Sequence, residues 1–142
     1  MKMFNIPILF IIFNRHDTAV QVFLAIKNIK PKYLFIASDG PRTGNPNDKD
    51  KCETLRKWVI DNIDWACEVK TLFQEQNLGC GLGPATAISW FFDHVEEGII
   101  LEDDCVPVPS FFHYCAILLE KYRYNDRIAI ISGLNFDIKH LH

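Results

Sequence analysis

Residues 6–13 (Ile-Pro-Ile-Leu-Phe-Ile-Ile-Phe) are apolar without a break. That is the pattern of a parallel strand covered on both faces, and such a strand belongs at the centre of a sheet. The period then changes: Val20, Phe23, Leu24 and Ile26 form one helical stripe, with Asp17 or Thr18 as its cap and Pro31 as its stop. Residues 33–38 predict a second buried strand, ending in Asp39-Gly40-Pro41-Arg42. A polar surface loop is expected at 43–51, where Gly44, Asn45, Pro46 and Asn47 cluster. The helix after it starts near Asp48 and turns Cys52, Leu55, Val59 and Ile63 inward, with Trp58 and Trp65 at its margins.

Residues 66–73 alternate, with Cys67, Val69, Thr71 and Phe73 on one face and Glu68 and Lys70 on the other, which predicts a half-exposed strand near an edge. A glycine-spaced loop at 76–84 leads into a helix with Pro84 at its first position and Ile88, Phe91, Phe92 and Val95 buried. A short strand then ends on Glu102-Asp103-Asp104, and Pro107 and Pro109 forbid its continuation. Ser110 is the expected cap of a helix carrying Phe111, Cys115, Leu118, Leu119 and Tyr122, and residues 127–132 read as a fifth strand. Strands alternating with helices give an α/β class: an open, mostly parallel, doubly wound, Rossmann-like sheet with helices on both faces. No covering element follows the fifth strand, so the sheet reads as incomplete at its C-terminus.

Composition narrows the function. At 142 residues, 49% hydrophobic and 23% charged, the chain reads as one domain with a sizeable core. Its 15 basic and 18 acidic residues are mixed along the chain, for a net charge of −3, which leaves no footprint for nucleic acid. Five cysteines without a C-x-x-C pair argue against a disulfide framework and a zinc site, and fit reduced thiols in a cytoplasmic protein, with a peripheral position at an inner membrane as the variant. The apolar N-terminus lacks a cleavage site and runs into Asn14-Arg15-His16-Asp17, so it reads as a strand, and no stretch is long enough to span a bilayer. His16, His94 and His113 have no metal-ligand spacing.

The acid-tipped strand carries the strongest chemical signal. In an extended segment Glu102 and Asp104 project to one side about 6.6 Å apart, and their repulsion at an effective dielectric near 20 is on the order of 2.5 kcal/mol. A hard divalent cation, Mg²⁺ or Mn²⁺, removes it; a solvated acidic turn after a buried strand is the alternative reading. In parallel sheets ligands bind beyond the carboxyl ends of the strands. That edge gathers Arg15, the segment Asp39-Gly40-Pro41-Arg42, the loop containing Asn77 and Gly79, and the three acids; taken singly, Arg15 reads equally as a surface salt bridge and Asp39 as a turn-forming carboxylate. Cations, carboxylates, bare backbone N–H groups and a metal cluster are what a nucleoside diphosphate needs. The spacing Gly79-x-Gly81-x-Gly83 misses the dinucleotide fingerprint and follows the wrong strand, which disfavours a Rossmann dehydrogenase. A nucleotidyltransferase is disfavoured by the lack of glycine in Asn14-Arg15-His16-Asp17.

Four segments, residues 7–15, Ala37-Ser38-Asp39-Gly40, Asn77-Leu78-Gly79 and 99–112, resemble the GT-A glycosyltransferases, the nucleotide-diphospho-sugar transferases. The likeness is strongest to the N-acetylglucosaminyltransferase type, whose donor motif is also Glu-Asp-Asp followed by a Pro-x-Phe-Phe-type helix start. The resemblance implies that Asp104 ligates Mn²⁺ or Mg²⁺ bridging the donor diphosphate, and that Glu102 and Asp103 approach ribose and sugar hydroxyls. It implies further that Arg15 contacts uracil or phosphate, and that Asp39 pairs with uracil N3. The donor would be a nucleotide-sugar, a UDP-sugar by this likeness, and the acceptor an unidentified carbohydrate, lipid or protein. In that family the acceptor site and catalytic carboxylate follow the fifth strand, so the chain reads as the donor-binding half, with Asp137 its one late carboxylate and no catalytic residue assigned. A non-catalytic nucleotide-sugar-binding module is the alternative. Apolar surface left by a missing half would favour a homodimer.

Overall fold

In the computed structural model residues 4–133 are described, and they divide into a compact unit ending at Pro107 and a second beginning at Val108. The first contains four strands, β1 (Ile8–Ile12), β2 (Tyr33–Ser38), β3 (Glu68–Phe73) and β4 (Ile99–Glu102). Between them run the helices α1 (His16–Ile29), α2 (Pro46–Asp61) and α3 (Gly79–Phe92). The second unit is built on α4 (Pro109–Tyr122). All strand pairs are parallel and the order is β3-β2-β1-β4, an α/β arrangement consistent with a Rossmann-like fold.

The continuous apolar run explains the central place of β1. It pairs with β2 (Leu9 opposite Phe35) on one side and with β4 (Leu9 opposite Ile100) on the other. Its two faces are buried against different partners. Leu9, Phe35 and Ala37 pack with Ala87 and Phe91 of α3 in one cluster, where the Phe35 and Phe91 rings meet edge to face at 4.9 Å. Ile8, Phe10 and Ile12 point the other way and are also fully covered. Right-handed crossovers place α1 and α2 on that face. These two helices join through Phe23, whose ring lies 5.3 Å from Trp58. Trp58 is therefore an inter-helix anchor, and it also meets His16 at 5.5 Å.

Several expected boundaries move. Arg15 takes the cap position of α1 in place of Asp17 or Thr18, its carbonyl accepting from Ala19 N–H at 3.1 Å. Helix α2 starts at Pro46, so most of the expected loop at 43–51 is helical: Pro46 has no N–H to lose at a helix start and its φ is already suitable. Helix α4 likewise opens on Pro109 after Val108, so Ser110 is not its cap. The strand expected at 127–132 does not form. Ile130 is 88% exposed, and no ladder partner satisfies that backbone among the described residues. Asp137 lies outside the described residues. No helix of the described chain is long and apolar enough to cross a membrane.

Candidate functional site

The chain moves outward from β1 to β2 to β3, then returns through α3 to place β4 on the far side of β1. This reversal opens a crevice between the carboxyl ends of β1 and β4, the position where open α/β sheets bind ligands. A cleft of about 310 Å³ lies there, and Arg15, Asp39, Asn77, Gly79, Glu102, Asp103 and Asp104 all line it. Gly40 does not line it. Its role is contact: a Cβ there would stand 2.6 Å from Gln76 N, so only glycine lets the two loops touch.

The acidic tip is a turn, which corrects its expected extended geometry. β4 stops at Glu102, whose carbonyl accepts from Cys105 N–H at 3.2 Å, so the alternation that put Glu102 and Asp104 on one side ends there. Asp103 folds inward to 8% exposure and its Oδ2 accepts from Phe13 N–H at 3.0 Å, tying the tip to the end of β1. Burial pushes the Asp103 carboxyl up from its ordinary value, while the Phe13 N–H and the Arg15 charge pull the other way. Asp104 remains half exposed and pairs with the Arg15 guanidinium, which also stands 4.0 Å from Asp103. Two carboxylates thus flank one cation.

Asp39 is occupied more fully than its expected role allows. Oδ1 accepts from Gly40 N–H and Leu78 N–H, each at 2.8 Å, and Oδ2 accepts from Asn77 Nδ2 at 2.9 Å and Gly79 N–H at 3.0 Å. Gly79 and Leu78 stand at the start of α3, so Asp39 supplies from another strand the cap that the helix lacks locally. This also explains why α3 starts at Gly79 and encloses Pro84, against the expectation of a loop ending at Pro84. Gly79 adopts a φ of +82°, and the Asp39 carboxylate holds the turn so formed.

Sequence reasoning assigned no site role to three side chains. Asp48 is 1% exposed and receives Nε and Nη2 of Arg42 at 2.5 and 3.0 Å and Asn14 Nδ2 at 2.9 Å. The Arg42 pairing holds its carboxyl down at about 2. Arg42 lines the cleft with its guanidinium carbon 5.5 Å from the Phe13 ring centroid. Arg56 clamps the strand ends, donating through Nη2 to the carbonyls of Asp39 and Gln74 at 2.8 Å. Only Arg42 carried a signal, its place two residues after Asp39-Gly40; Asp48 reaches the site from the first turn of α2 and Arg56 from its body.

No family model, no curated protein and no solved structure matches this chain.

Among the described residues no three His, Cys, Asp or Glu side chains converge as a cage for a metal ion. A single carboxylate at the cleft is compatible only with an ion that takes most of its ligands from elsewhere. Mg²⁺ and Mn²⁺ are held through one or two carboxylates with substrate phosphates and water completing the shell, and half-exposed Asp104 at the cleft offers such a carboxylate.

Proposed function

We propose that the cleft binds a nucleoside-diphospho-sugar together with Mn²⁺ or Mg²⁺, and that the protein serves glycosyl transfer to an acceptor. The observation that carries this reading is the meeting of Arg15 with the acidic turn at the sheet's switch point. Two arginines, Arg15 and Arg42, face four carboxylates, Asp39, Glu102, Asp103 and Asp104, around the cleft. A diphosphate entering alone would meet an excess of negative charge, whereas one entering with a divalent ion brings its own compensation. When bound, the ion would be held by Asp104 and would offset the charge that develops on the departing diphosphate.

The chain's own residues do the positioning. Arg15, released from Asp104, has a planar fork that matches phosphate oxygens. Asp103 is held by Phe13 N–H and keeps the turn against β1. The Asp39 carboxylate fixes the loop over 77–79 that borders the cleft. The likeness to UDP-sugar transferases makes UDP the first probe. Calorimetry with Mn²⁺ present is expected to show UDP binding that weakens about tenfold or more in Asp104→Ala, the loss of a charge-assisted ligand being worth about 1.5–3 kcal/mol. Binding that is absent, or unchanged in Asp104→Ala, rejects the reading.

A further inference from the structure

Resting on the nucleotide-binding reading above, we propose that Arg42 receives the nucleobase as a stacking surface and that Asp39 does not read the base edge, so the cleft selects a planar base without selecting which base. Two independent observations lead there. The first concerns Asp39. A carboxylate offers about four acceptor positions, and the N–H groups of Gly40, Leu78, Gly79 and Asn77 fill four. The start of α3 also closes over it: a Cβ at Gly83 would lie 3.2 Å from Oδ2. A base imide could bond to this oxygen only by displacing a donor that holds the helix start.

The second concerns Arg42. Buried Asp48 takes two of its N–H groups and neutralises its charge, so what Arg42 presents to the cleft is chiefly a fixed plane. Phe13 lies against it, 5.5 Å from ring centroid to guanidinium carbon, and the side chain remains 52% exposed. Guanidinium planes and aromatic rings are the surfaces on which bases stack, and stacking tolerates any base because every base has a π-face. Phe13 also joins the two ends of the cleft, since its N–H holds Asp103 of the acidic turn while its ring backs Arg42. A ligand with a diphosphate at the turn would therefore have its base within reach of the Arg42 plane.

The test is a calorimetric panel with Mn²⁺ present, comparing UDP, CDP, GDP and pyrophosphate on the full chain and on Arg42→Lys. Lysine keeps a positive partner for Asp48 and removes the plane. The three nucleotides are expected to bind within about threefold of one another, and each about fivefold to a hundredfold more tightly than pyrophosphate, the range base stacking supplies. In Arg42→Lys that advantage should shrink toward one; an advantage kept in full by the folded variant overturns the inference. The inference is overturned if UDP exceeds CDP by tenfold or more, since cytosine lacks the imide N–H, or if the nucleotides bind no better than pyrophosphate. Either result leaves the diphosphate site standing, whereas binding of none of the four overturns both readings. Should Arg42→Lys fail to fold, the wild-type panel still decides whether the cleft prefers one base.

Discussion

Asp48 shows how one buried carboxylate shapes the cleft and contributes to the pH dependence of the fold. Its pKa is depressed to about 2 by Arg42, with help from Asn14. A depressed carboxylate contributes stability that is fully present above its unfolded value of about 3.9 and disappears as pH falls through its folded value. The window of loss is therefore about pH 4 to 2. Thermal unfolding of Asp48→Asn should show a lower melting temperature at pH 7 and a shallower decline across that window than wild type; parallel profiles would contradict the assignment. Asp103 has the opposite sign. Desolvation raises it, so its ionised form is a burden that the Phe13 N–H and Arg15 only partly relieve.

At the scale of elements, the cleft depends on loops fastened to one another rather than on long side chains reaching inward. Gly40 lies against the backbone of Gln76, Asn77 Nδ2 donates to the Gly40 carbonyl at 2.9 Å, and Arg56 joins the ends of β2 and β3. Gly40→Ala forces a Cβ into Gln76 N at 2.6 Å. Denaturant unfolding should show it destabilised by about 1–3 kcal/mol, as overpacking against backbone requires; a change below about 0.5 kcal/mol would mean that the loops are not in contact. The strands were legible in the sequence wherever burial dictated them. The unbroken run through Phe10 could only be central, and the charged residues around Lys70 suited the edge position that β3 occupies, although Val69 and Thr71, expected on a covered face, are exposed like Glu68 and Lys70. The start of α3 was not legible, because its cap comes from Asp39, forty residues before Gly79. The turn at the acidic tip was hidden for a similar reason: the hydrogen bond that draws Asp103 inward comes from Phe13, on another strand. Apolar content at 127–132 predicted a strand, but composition cannot supply a ladder partner.

At the scale of the molecule, the site lies wholly within the unit ending at Pro107, and the strand order β3-β2-β1-β4 is what creates it. Reversal of the winding direction at β1 leaves the end of that strand uncovered, and the Arg15 and Asp103–Asp104 charges gather at the gap. A second, shallower pocket near His94 and Glu96 lies after α3 and gathers no such charges of both signs at strand ends. The two places give distinct signatures in one experiment. Backbone amide resonances of the full chain, followed during titration with UDP and diamagnetic Mg²⁺, should move at Phe13, Arg15, Gly79, Asp103 and Asp104 while those of 92–96 stay fixed. Shifts confined to 92–96, or no shifts at all at saturating ligand, would contradict the claim that the β1–β4 crevice holds a metal-bound nucleoside diphosphate.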